Sequence, residues 1–179
     1  MTRVLLITGA RSLADDRDAE AWARGKIAAA LVGVDLLIVG DAPGPDAWAV
    51  GSTVRYLVGE EWRGRDVECH RYITRGRDAG WVVSPDDDGE TTRVARWSRA
   101  GDSHPLKRNA AMVRDAVALR DDPLMMADVR CLALLDGRKP AVVQPGEKRP
   151  TRGTEHTAGL ARAAGLTVDA QTWPKGATT

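Results

Sequence analysis

Apolar runs and segments of helical period alternate along this chain. Arg3-Val-Leu-Leu-Ile-Thr8 is a short apolar run closed by Gly9, and it reads as a buried strand. From Asp18 to Leu31, the residues Ala19, Ala23, Ile27, Ala30 and Leu31 recur on one helical face, and Gly33 supplies a stop. Leu36-Leu-Ile-Val39 is a second buried strand, ended by the turn-rich Gly40-Asp-Ala-Pro-Gly-Pro-Asp46. A second helix is expected from Asp46, a residue type suited to an N-cap, with Ala47, Val50, Val54 and Leu57 facing a sheet. Val67 to Ile73 predicts a third, more polar strand. Leu106, Ala110, Val113 and Val117 mark a helix that starts near Pro105. Val129 to Leu135 is a fourth strand, Glu155 to Ala164 a short helix stopped by Gly165, and Leu166 to Trp173 the last strand.

Strands that are apolar throughout must be covered on both faces, and their alternation with amphipathic helices makes the sheet parallel. The expected fold is therefore α/β: a Rossmann-like, doubly wound, mainly parallel sheet of about five strands with helices on both faces. One domain spans 1–173. Two stretches break the rhythm. Residues 75–103, with the acidic Asp86-Asp-Asp-Gly-Glu90, read as an insertion, and 138–152, basic and proline-containing, as a mobile loop. Residues 174–179 read as a disordered tail.

Composition narrows the function classes. A chain of 179 residues is the length of about one domain. Its 26 Lys and Arg nearly cancel 25 Asp and Glu, so a strongly basic nucleic-acid binder is disfavoured. Apolar runs are far shorter than the ~20 residues that span a bilayer, and Arg3 leads straight into a strand where a signal peptide would have its apolar region. Cys69 and Cys131 form no CxxC pair and read as reduced core residues, so a cytoplasmic location is expected. The three His lack ligand spacing with Cys or acids, so neither a metal nor another cofactor is inferred.

Ligands of open parallel sheets bind beyond the carboxyl ends of the strands, where loops feed helix N-termini. Four segments fall there: Thr8-Gly-Ala-Arg11, Gly40 to Asp46, His104-Pro-Leu-Lys-Arg-Asn109 and Arg152-Gly-Thr-Glu155. Gly9 permits close backbone approach, and Arg11 suits bidentate phosphate contact. Gly40 and Gly44 permit positive φ, while prolines stiffen the loop ahead of Asp46. Cations in the first turn of a helix oppose its dipole unless an anion binds nearby, which marks Arg108 as a phosphate clamp and Asn109 as a partner for a sugar hydroxyl. Gly153 gives close approach, Thr154 a hydroxyl, and Glu155 a carboxylate that equally well serves the helix dipole. Neither GxGxxG nor GxxxxGK[ST] is present, which removes the main support for ordinary dinucleotide or P-loop enzymes.

These segments together resemble a known group. Gly40-Asp-Ala-Pro-Gly-Pro-Asp-Ala-Trp-Ala49 is similar to the GGAxGaDxxA signature of the YspA-like (DUF2493) branch of the SLOG superfamily. Pro105-Leu-Lys-Arg-Asn-Ala-Ala-Met112 resembles its Arg-Asn-x-x-Met segment. Gly153-Thr154 followed by Ala163-Ala-Gly-Leu-Thr-Val168 resembles its GGxGT turn, helix and final strand, and Thr8-Gly-Ala-Arg11 its opening. The superfamily is Rossmann-like and includes LOG phosphoribohydrolases and DprA-type DNA-processing proteins. The resemblance implies a site for a nucleotide or ADP-ribose-like small molecule, carried by Gly9, Arg11, Gly40, Gly44, Asp46, Arg108, Asn109, Gly153 and Thr154. It also leaves a homodimer open. The phosphoribohydrolase motif PGGxGTxxE is broken here: Pro150 and Thr151 replace its glycines, and Thr157 stands at the catalytic Glu. Glu155 lies two positions early, and at ~100° per residue it faces nearly the opposite way. The expected function is thus binding, by sensing or sequestering, of a nucleotide-derived ligand. A nucleotide N-glycosidase using Asp46 or Glu155 is the alternative, and DprA-like DNA binding through the basic 138–152 stretch a second one.

Overall fold

The computed structural model describes residues 1–58, 68–74, 96–101, 105–138 and 153–174. Among these residues six strands form one sheet: β1 (Arg3–Gly9), β2 (Leu36–Val39), β3 (Glu68–Thr74), β4 (Arg96–Gly101), β5 (Asp128–Asp136) and β6 (Thr167–Trp173). Their spatial order is β4-β3-β2-β1-β5-β6, and every neighbouring pair is parallel. The helices are α1 (Arg17–Leu31), α2 (Pro45–Val58), α3 (Pro105–Asp121) and α4 (Gly153–Ala163), with a 3-10 turn over Arg11–Asp15. The doubly wound α/β architecture is as expected from the sequence.

Successive strand residues point to opposite faces, and the core divides accordingly. Leu5, Ile7, Leu37, Val39, Leu132 and Leu134 pack with Ala19, Ala23 and Ile27 of α1 and Ala49 of α2. Val4, Leu6, Leu36, Ile38, Val129 and Cys131 pack with Met112, Val113 and Ala116 of α3 and Ala161 of α4. Each central strand thus buries both of its faces, which is why β1 and β2 are apolar at consecutive positions. Cys69 and Cys131 are both buried, and neither is in a disulfide. No described helix is long and apolar enough to cross a membrane.

The sixth strand is an addition to the sequence reading. β4 lies inside the stretch read as an insertion, and pairs with β3 from Cys69↔Arg96 to Thr74↔Gly101. Its sequence, Arg-Trp-Ser-Arg-Ala-Gly, has no apolar run. An edge strand needs none, because only one of its sides pairs. The rest of 75–103, the loop from 139 to 152 and the tail from 175 lie outside the described residues.

Local signals set the helix starts. The Asp16 carboxylate accepts from the amides of Asp18 (2.9 Å) and Ala19 (3.1 Å) and so caps α1. At α2 the expectation shifts by one turn position. Pro45 is the first helical residue, favoured there because its missing N–H is not needed, and the Trp48 amide donates to the Gly44 carbonyl at 2.9 Å. Asp46 is therefore inside the helix and free to face elsewhere than the cap. Gly44, at φ +88°, takes the turn that leads in, a conformation disfavoured for any other residue.

Candidate functional site

The chain runs outward from β1 through β2 and β3 to β4, then returns to the other side of β1 for β5 and β6. At the carboxyl edge, beside this switch point, the β2–α2 loop, the first turn of α3 and the first turn of α4 meet.

Arg108 is the joint between them. It is 4% exposed, although it stands in the first turn of a helix. Its guanidinium forms an ion pair with Asp41 and donates to the Asn109 side-chain oxygen through Nε (2.9 Å) and Nη2 (2.7 Å). The Asn109 Nδ2 donates in turn to the Gly153 carbonyl at 3.2 Å, and the Thr157 hydroxyl donates to the same carbonyl at 2.8 Å. The β2–α2 loop, α3 and α4 are thereby tied in one line of bonds.

Asp46 lies against this line. Its carboxylate is 3% exposed, and its Oδ1 has no hydrogen-bond partner, alone among buried side-chain N and O atoms of the described residues. Burial pushes the carboxyl up to about 6, and Asp41 adds to the rise. Arg108 and the backbone amides of Ala42 and Gly9 pull the other way without cancelling it. A carboxyl poised there exchanges its proton near neutral pH.

Two glycines of the site, Gly9 and Gly40, are space-limited. A Cβ on Gly9 would land on the Pro45 ring, so that the end of β1 packs against the start of α2. A Cβ on Gly40 would meet Oδ2 of Asp46 and come within 2.9 Å of the Arg108 Cζ. Gly153 is different: among the described residues a Cβ there meets only Asn109 Nδ2, at 3.6 Å.

The fold therefore brings together Gly9, Gly40, Gly44, Asp46, Arg108, Asn109 and Gly153. Thr154 is buried beside them in α4, at 4% exposure. Arg11 contributes backbone, its carbonyl being 3.7 Å from where a Gly44 Cβ would sit, but its side chain is exposed. Glu155 is also exposed, whereas Thr157 is fully buried and bonded back into its own helix. Of the two acids singled out in the sequence, Asp46 joins the cluster and Glu155 does not. His104 and Arg152 lie outside the described residues.

Two features were not legible in the sequence. One is Asp41, the partner of Arg108 across 67 positions. The other is a second polar network at the same edge. The Ser12 hydroxyl donates to Asp136 at 2.6 Å, Arg138 Nε donates to Asp136 at 2.9 Å, and the Arg138 guanidinium pairs with Asp16. Burial opposes ionisation of Asp136, but hydrogen bonds from Arg138 and Ser12 prevail and hold it down at about 2. This network ties the exit of β5 to the cap of α1. Only an acid at a strand end and a basic residue two positions on hinted at it.

Comparison with protein-family models, with curated proteins and with solved structures gave no match.

Proposed function

We propose that the carboxyl edge of the sheet binds a nucleotide-derived or ADP-ribose-like ligand, which the protein senses or sequesters. The observation that carries this is the buried, unpartnered oxygen of Asp46. An unsatisfied buried polar group costs about 1–3 kcal/mol, and a ligand hydroxyl placed there recovers it. A ribose has such hydroxyls. Closure from solvent makes that bond stronger than it would be at the surface. The N-termini of α2, α3 and α4 open on the same edge, and their amides suit phosphate oxygens. Arg108, occupied by Asp41 and Asn109, supports this cradle from behind and need not be its main phosphate clamp. The resemblance to the SLOG superfamily points the same way.

The test is incubation with nucleoside monophosphates, NAD, ADP-ribose and cyclic ADP-ribose forms, followed by ultrafiltration and chromatography of both fractions. Intact ligand retained with the protein, and lost in Asp46→Ala, is the expected result. Retention of nothing overturns the reading. One observation favours a second outcome. A carboxyl held at about 6 in a closed site is suited to proton transfer or to stabilising a ribosyl cation, so an N-glycosidase is the alternative. Free base in the filtrate, absent in Asp46→Ala, would establish it.

A further inference from the structure

The sequence reading makes Asn109 a ligand contact. The hydrogen bonds give it a different task. Its side-chain oxygen accepts twice from Arg108, at 2.9 and 2.7 Å, and its nitrogen donates to the Gly153 carbonyl at 3.2 Å. Asn109 is 4% exposed, so these bonds form with little competition from water. A carboxamide is planar, with acceptor and donor set at fixed angles. Holding one end therefore orients the other. On one side stand Arg108 and the two carboxylates it faces, Asp41 and Asp46; on the other stands the first turn of α4.

We infer that Asn109 is a positioning residue that couples the two halves of the site: it locks Arg108 toward the Asp41–Asp46 side and the α4 N-terminus in one geometry. The consequence for ligands rests on the function proposed above. A ligand with a sugar at Asp46 and a phosphate at α4 engages both halves only while their spacing is held. Asn109 acts through Arg108 and Gly153 without touching the ligand.

The coupling has a ligand-free readout. Carbon-13 NMR of the carboxyl groups follows the titration of Asp46, whose facing charges among the described residues are Arg108 from α3 and Asp41 from the β2–α2 loop. In Asn109→Ala, Arg108 is no longer held in place, and the Asp46 midpoint is expected to move up by about one pH unit, the low end of what a neighbouring guanidinium imposes. Thr157→Val removes the other bond onto the Gly153 carbonyl and leaves Arg108 alone, so the midpoint is expected to stay. An unmoved midpoint in Asn109→Ala, or the same shift in both variants, overturns the inference. The unaltered chain provides a check should Asn109→Ala not fold. Its Asn109 carboxamide protons must exchange slowly, and fast exchange overturns the inference too. Calorimetry with ADP-ribose then reads the consequence, a loss of affinity of about tenfold or more in Asn109→Ala, equal to about 1.4 kcal/mol. If the unaltered protein does not bind ADP-ribose, the ligand reading fails while the NMR titration still decides the coupling.

Discussion

Asp46 shows how far a single residue's meaning depends on its surroundings. An Asp ahead of a helical segment is most often a cap, yet here Pro45 starts the helix and the carboxylate turns into the protein. Its ordinary value of 3.8 rises to about 6 in the fold. The native state thus favours the protonated form. Stability from this group is fully present below about pH 4 and is lost as pH rises through about 6, a change of up to about 3 kcal/mol. Asp46→Asn is expected to remove that dependence. Urea denaturation should find the variant more stable than the parent at pH 8 and little different below about pH 4, while ligand retention disappears. A variant no more stable at pH 8 would mean that the buried charge is not strained. A variant that is more stable at pH 8 would mean that the site carries a stability cost, as functional sites commonly do.

At the level of elements, the site depends on how strand ends meet helix starts. The β1–α2 junction has no spare volume, because a Cβ on Gly9 coincides with the Pro45 ring. Gly9→Ala must push α2 from the sheet, and a loss of about 1–3 kcal/mol is expected in chemical denaturation. A neutral effect would show that the junction yields. The Ser12–Asp136–Arg138–Asp16 network secures the neighbouring junction. Since Asp136 is held down at about 2, its contribution is present above about pH 4 and is lost as pH falls through 2. In Arg138→Ala the acid-unfolding midpoint should move to higher pH, and about 1–3 kcal/mol should be lost at pH 7. Circular dichroism across an acid titration measures the first effect. An unshifted midpoint would mean that Ser12 alone suffices to hold Asp136 ionised.

For the whole molecule, a ligand that joins loops from β2, α3 and α4 must stabilise the fold, since it binds only where they meet. At a hundredfold excess over Kd the gain is about 2.7 kcal/mol, which for a domain of this size is a rise in Tm of roughly 5–10 °C. Thermal unfolding with and without ADP-ribose measures it. The same increment should vanish in Asp46→Asn if the ligand uses the unpartnered oxygen. A rise that survives the substitution would place the ligand elsewhere on the molecule.

What the sequence determined by itself is the architecture. Runs such as Val4 to Ile7 and Leu36 to Val39 are apolar at every position, and only a parallel sheet covered on both faces buries them all. Burial is a local, repeated demand, so its pattern survives in one dimension. β4 escaped because an edge strand makes no such demand. The loops that bear the candidate site were legible as loops too, since glycines, prolines and helix-start residues mark where strands end. Partnership was not. Asp41 finds Arg108, Asn109 finds Gly153, and Ser12 finds Asp136 across 67, 44 and 124 positions. Nothing in the order of residues states those distances. Only the winding of the sheet brings the loops to one edge, where exclusion of water decides which carboxylate is paired, which is strained, and which oxygen is left without a partner.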